Sequence, residues 1–301
     1  MTTSRLLRVI FWMTGTLLSF SIMALSIRGL ASRLTIFEIL TVRTFGALVI
    51  LFSLAVLKPQ FFPQMAPRRM GLNLLRNSIH FGALYGWALS LTLLPLATVF
   101  ALEFTMPIWL AMIAVFILGE KLTPSRIGVI VLGFVGTLVI LRPGFAAFQP
   151  ALLIPLFCAV GYAIFNALTK KLTATEPVFG IVFWMNMIQL PIGYLASDKL
   201  FFLNLDWPQL PSVVGLSIAG LSAHYCLANA FRAGDATLVM PIDFLRVPLI
   251  ALVGWWFFGE ALDPFVFLGG AIMLTGIIWN LRDEAKKAHR LPERQAVDPV
   301  H

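Results

Sequence analysis

Ionisable side chains are scarce in this chain, and those that interrupt its long apolar stretches are the ones whose chemistry needs an account. A charge carried into hydrocarbon costs about 2.5–3.5 kcal/mol on insertion scales, so such a group faces a partner or a cavity. Arg43 and Glu103, counted inward from the ends of their stretches at 1.5 Å per residue, fall at one depth on one side. Opposite charges at one depth pair two helices together or form a gate. His80, His224, Asp243 and Arg246 fall together at the opposite depth, and Asp243 and Arg246 share a helix face at i, i+3. A set of this kind binds the charged ends of an amino acid, relays protons through histidines that titrate near neutrality, or locks helices by salt bridging. All three readings are open at this stage. Among the aromatic and amide positions, Trp12 shares a face with Thr16 and Ser19, Trp87 lies two turns beyond His80, and Tyr162 and Asn166 are one turn apart. They line a cavity and stack on a substrate, or they pack between helices.

Reactive constellations of other classes are missing from the sequence. It has no HExxH zinc motif, no GxSxG nucleophile elbow and no GxxxxGK[ST] phosphate loop, and Ser222 and His224 are too close in sequence to face each other well on a helix. We therefore expect no enzyme, no metal and no cofactor. A channel would carry a filter sequence or a ring-forming charge pattern, and neither is present. The two cysteines, Cys158 and Cys226, sit in apolar runs where a thiol behaves as a small hydrophobe.

The elements that must position these residues follow from composition. Apolar residues make up 59% of the 301 positions and charged residues 12%, against roughly 25% charged in ordinary soluble domains. A bilayer core about 30 Å thick needs roughly 20 apolar residues in a helix. Between polar breaks such as KPQFFPQMAPRR, GEKLTP, RPG and RAGDA, ten helices are predicted, over 9–29, 35–57, 72–94, 96–118, 124–142, 150–169, 177–197, 211–232, 236–258 and 264–281. The first has a positive flank but is too long for a signal-peptide core, so an uncleaved first helix is expected. Trp207, Trp255 and Trp256 read as interfacial anchors, and Gly128, Gly133, Gly136, Gly269, Gly270 and Gly276 as sites of close helix packing.

With the amino terminus cytoplasmic, Lys58, Arg68, Arg69, Lys121, Lys170, Lys171, Arg282, Lys286 and Lys287 fall in inner loops or the tail, and only Arg28, Arg33, Arg142 and Lys199 fall outside. Retention of basic residues inside accounts for the net charge of +8, and no nucleic-acid partner is implied.

A repeat organises the chain. GEKLTPSRIGVIVLGFVGTLVILRP from Gly119 aligns with GEALDPFVFLGGAIMLTGIIWNLRD from Gly259, and upstream, with small gaps, Ala97 pairs with Ala236, Glu103 with Asp243 and Pro107 with Pro248. Each copy spans five helices, and an odd number turns the second copy over in the membrane. The expected fold is all-α integral membrane, two inverted five-helix repeats over 9–142 and 150–281 followed by a basic cytoplasmic tail, 282–301.

Paired Pro-to-Gly-Glu segments in a ten-helix chain resemble the EamA-type branch of the drug/metabolite transporter superfamily, most strongly over ALEFTMPIWLAMIAVFILGEKLTPSRIGVIVLGFVGTLVIL. The resemblance implies a secondary transporter of the bacterial inner membrane, with both termini cytoplasmic and a cavity between the repeats. It implies export of amino acids, aromatic ones included, or of related small metabolites, with uptake of a metabolite such as S-adenosylmethionine or riboflavin as the alternative. The expected partners are a small-molecule substrate and the lipid bilayer, with a homodimer left open. Arg43 stands where the family often carries an arginine, whereas the corresponding region of the second half holds Met185 and Asn186, so the halves are not chemically symmetric.

Overall fold

Hydrocarbon offers the backbone no hydrogen-bond partner, so an apolar run that crosses it must close its own bonds as a helix. The computed structural model describes residues 3–66, 68–116, 123–142, 149–173, 175–233, 242–243 and 245–297, and among them no strand is present. The helices are α1 (Thr3–Leu30), α2 (Ile36–Leu57), α3 (Met70–Leu93), α4 (Leu96–Glu103), α5 (Met106–Phe116), α6 (Pro124–Leu141), α7 (Leu153–Thr173), α8 (Val178–Leu195), α9 (Leu210–Ala233), α10 (Arg246–Phe258) and α11 (Pro264–Val297). Five of them are long and apolar enough to cross a membrane on those grounds alone, and α4 with the start of α5, α6, α10 and the first part of α11 contribute shorter apolar segments. Phe11, Phe45, Leu57, Phe157 and Leu195 point outward, whereas Thr44, Asn73, Asn77 and Gln189 are fully buried. That inside-out polarity is the one a bilayer demands. The protein is an all-α, multi-span membrane protein.

Two predicted elements differ in the structure. The fourth, expected as one helix over 96–118, is two: α4 stops at Glu103, Phe104 and Thr105 form a turn, and α5 begins at Met106. Pro107 has no N–H to give the carbonyl of Glu103, and its ring crowds that carbonyl. At the same break the Thr105 hydroxyl donates to the neighbouring carbonyl, Leu102 O, at 2.7 Å. In the ninth, Leu245 forms a turn between the helical residues 242–243 and α10, three residues before Pro248. Residues 236–241 of that element, like Gly119–Glu120 of the first repeat, lie outside the described residues. The last helix runs on to Val297 instead of ending near 281; its polar extension is rich in Glu, Ala, Lys and Arg, which are good helix formers.

The two halves pack through reciprocal pairings. α1 lies along α9 and α3 along α7, while α2 meets α8, α4 meets α10 and α6 meets α11. Exchanging the halves turns the first two pairings into each other and leaves the other three unchanged, which is two-fold pseudosymmetry. With an odd number of crossings per half, such an axis lies in the membrane plane. The α6–α11 crossing is close because Gly136 and Gly269 face each other: a Cβ on either would sit 2.5 Å from the other's carbonyl oxygen.

At the end of the bundle where α1 finishes, Gly259 caps α10 in the left-handed conformation at φ +65°, the conformation glycine adopts without penalty. That turn aims Glu260 back into the bundle. Its carboxylate accepts from Leu96 N at 2.8 Å, capping α4, and pairs with Arg28 Nη1. Arg28 also donates through Nε to Leu91 O at 2.7 Å and through Nη2 to Leu94 O at 2.6 Å. The Gly-Glu pair of the repeat is thus, in its second copy, a device that ties α1, α3, α4 and α10 at one end.

Candidate functional site

α3 turns a polar face into the bundle. Asn73, Arg76, Asn77, His80, Leu84 and Trp87 recur at helical spacing, and all of them are buried. The first three are held locally. Asn73 Nδ2 donates to both carboxylate oxygens of Glu176, and Arg76 donates to Thr169 Oγ1 at 2.7 Å and Asn77 Oδ1 at 2.8 Å. Further along, His80, Leu84 and Trp87 open onto a cavity of about 280 Å³.

The cavity sits where the interruption of the fourth helix meets the start of α10. Arg246, the first residue of α10, reaches into it and is shared by two carboxylates: Nη2 donates to Asp243 Oδ2 at 2.5 Å and Nη1 lies 3.4 Å from Glu103 Oε1. The indole of Trp87 donates from Nε1 to the other oxygen of Glu103 at 2.9 Å. Phenyl rings enclose the guanidinium, with Phe20 at 4.0 Å, Phe104 at 5.3 Å and Phe100 at 5.8 Å from its carbon. Cation–π contacts of this kind are worth about 2 kcal/mol when desolvated.

His80 is fixed differently. Gln189 Nε2 contacts its Nδ1 at 2.7 Å and also the carbonyl of Asn77 at 3.3 Å. Because a carbonyl only accepts, the Gln189 amide nitrogen faces both groups and donates to both. His80 Nδ1 is therefore the acceptor, and the proton of a neutral ring sits on Nε2. The imidazole stacks on Phe165 at 4.1 Å, lies 5.9 Å from the ring of Tyr162, and meets the ring of His224 edge-on at 6.3 Å.

Arg43, His80, Trp87, Glu103, Tyr162, Asn166, His224, Asp243 and Arg246 all line this cavity. The division into an outer pair and an inner cluster does not hold. Glu103 is bound by Arg246 and Trp87, and no ion pair joins it to Arg43 among the described residues. The depth count fails because it assumes continuous helices. The break at Phe104–Thr105 shifts Glu103, and Arg246 arrives from the other half at the matching break. Trp12 is not in the cavity; it packs beside Val9, Met13 and Ala230, with its ring 5.9 Å from Tyr225.

Sequence reasoning missed Gln189, Phe20, Phe104 and Phe165. Gln189 left a signal, since it follows Asn186 at i+3 in an otherwise apolar helix. The phenylalanines left none, because 26 are spread along the chain. Chemically, the lining offers both signs of charge, a neutral imidazole and flat aromatic faces inside a membrane. This arrangement suits reversible binding of a small polar or dipolar molecule.

Known proteins carry the same organisation. A model of the EamA-like transporter family matches residues 7–142 and again residues 149–282. A riboflavin transporter of Rhizobium johnstonii is 31% identical over 80% of this chain and 80% of its own. An S-adenosylmethionine uptake transporter of Rickettsia felis is 26% identical over 94% of this chain and 96% of its own. One solved crystal structure, 16% identical, shares the fold with a TM-score of 0.62, covering 93% of this chain and 96% of that one.

Proposed function

The chain belongs to the EamA-like transporter family, and on that premise we propose that it is a secondary carrier for amino acids or amino-acid-derived metabolites, working by alternating access around the central cavity. The observation that carries the reading is the joint presence of Arg43, Arg246, Glu103 and Asp243 with aromatic faces in one cavity where the breaks of the two halves meet. Interrupted helices around a central site are the form that allows two similar halves to rock about a bound solute. At about 280 Å³ the cavity lies just below the usual range of small-molecule sites, roughly 300–1,000 Å³, which favours a free amino acid over the larger S-adenosylmethionine and riboflavin alike.

A second reading, uptake of S-adenosylmethionine, is supported by the Rickettsia felis relative, which matches nearly end to end. That compound also ends in an amino acid. Counterflow in proteoliposomes separates the readings: the purified chain is tested with labelled L-amino acids, S-adenosylmethionine and riboflavin, with a pH gradient imposed and then removed. Saturable counterflow of an amino acid, or of S-adenosylmethionine, is expected. Flux that does not saturate, or riboflavin as the one solute carried, overturns the proposal.

The basic loops and the odd number of helices per half support two inverted repeats with both termini cytoplasmic. A reporter fused after Gly144 is then periplasmic and one fused after Lys171 cytoplasmic; the reverse pattern overturns this orientation.

A further inference from the structure

Arg43 on α2 is 1% exposed, lines the central cavity, and among the described residues neither its Nε nor its Nη1 has a hydrogen-bond partner. A guanidinium is always charged and presents its donors in a rigid fork that matches a carboxylate. Burying it unpaired is unfavourable, and its persistence calls for a compensating partner. The fold makes room for it: Gly220 on α9 lies against it, and a Cβ there would sit 2.8 Å from Nε and 3.2 Å from Cγ. Within the same cavity one acceptor is unmatched, because Asp243 gives Oδ2 to Arg246 while its Oδ1 has no partner among the described residues. Arg246 with Glu103 and Asp243 sums to one negative charge, and Arg43 adds one positive charge. The lining therefore complements a molecule that carries both signs.

We propose that the cavity recognises an α-amino-carboxylate by its two charges separately, with the Arg43 guanidinium holding the carboxylate and Asp243 Oδ1 accepting from the ammonium. This rests on the reading of the cavity as the transport site for amino acids or their derivatives. It makes Arg43 the residue that admits zwitterions and rejects neutral solutes such as riboflavin.

The test uses the full chain in proteoliposomes. Counterflow of the best-carried L-amino acid of a panel is competed with that amino acid, with its carboxamide, which lacks the carboxylate, and with the matching carboxylic acid lacking the amino group. Wild type is expected to prefer the amino acid over the carboxamide by roughly 10- to 100-fold, the range of charge-assisted hydrogen bonds. Arg43→Met reduces that preference to within about 3-fold, while Asp243→Asn reduces the preference over the amine-free acid. Gly220→Ala, which pushes on Arg43 without removing its charge, produces a partial loss of the carboxylate preference. In the ligand-free protein Arg43→Met melts at or above the wild-type temperature, because it replaces an unpaired buried charge with an apolar chain of similar length. A carboxylate preference unchanged in folded Arg43→Met, or a melting temperature lowered by several degrees, overturns the inference and leaves the carrier reading intact. Absence of flux for every amino acid and for S-adenosylmethionine in the wild type overturns the carrier reading itself.

Discussion

At the end of the bundle where α1 finishes, each guanidinium nitrogen of Arg28 is spent on the protein: Nε and Nη2 on the carbonyls of Leu91 and Leu94, Nη1 on Glu260. In the central cavity Arg246 uses Nη1 and Nη2 on carboxylates, and among the described residues its Nε has no partner, nor do Nε and Nη1 of Arg43. The three side chains are alike and all are largely removed from water, yet their partners differ in kind. Arg28 binds helix ends, whose carbonyls lack intrahelical partners and need a donor wherever they lie. Arg246 and Arg43 bind side chains or nothing, and both border a void. An arginine whose nitrogens are all committed to helix-end carbonyls and a capping carboxylate is a clamp, whereas one left uncommitted beside a cavity is a recognition group. The energetic consequence also differs: removing the clamp frees helix ends, while removing the recognition group relieves the apo protein of an unpaired charge.

The largest effect should come from breaking the clamp. Glu260→Ala strands Arg28 and uncaps α4, and breaking a largely buried pair costs roughly 3–5 kcal/mol, with the low end applying because both side chains remain 15% exposed. Reduced folded yield on size-exclusion chromatography and a lower melting temperature are expected, with the affinity of the surviving folded protein unchanged. A normal melting temperature with altered affinity would place this end of the bundle in recognition and dissolve the contrast.

Next comes Glu103→Gln. The amide can still accept from Trp87, and Arg246 keeps Asp243, so the loss of stability stays near 1–2 kcal/mol, about that of one charge-assisted bond. Transport should suffer more, by about 10-fold or greater in kcat/KM, since the net charge of the cavity changes. Initial rates measured beside melting curves decide between the two, and a stability loss with unaltered kinetics would move Glu103 to the structural side.

Trp87→Phe sharpens the comparison on a finer scale. It keeps the ring against Phe100 and deletes only the donor to Glu103, which is worth about 1–2 kcal/mol, so a few-fold rise in KM is expected with folded yield preserved. The smallest effect is predicted for Trp12→Phe, outside the cavity: KM should match wild type, and a change of more than about 3-fold would mean that the transport path extends to the Val9–Met13–Ala230 cluster.

How far these features could be read in advance varied with their physical origin. Helix positions, the internal repeat and the polar interruptions that mark the cavity were legible, because each depends on local rules: apolar length against bilayer thickness, turn residues between runs, and the cost of a charge in hydrocarbon. Arg43, His80, Glu103, His224, Asp243 and Arg246 could all be picked out on that last ground, and they line one cavity in the structure. Pro107 and Pro248 were also in view, paired in the repeat, and each sits just beyond a turn that interrupts its helix. Who pairs with whom was a different matter. That Glu103 meets Arg246 and not Arg43, that Gln189 orients His80, and that Trp12 packs away from the cavity depend on contacts between residues separated by more than a hundred positions along the chain. Sequence spacing carries depth along an ideal helix, but not the rotation of one helix against another or the offset introduced by a break. Only the packing of the two halves brings those side chains within reach, so it alone decided which arginine is satisfied and which is left for a ligand.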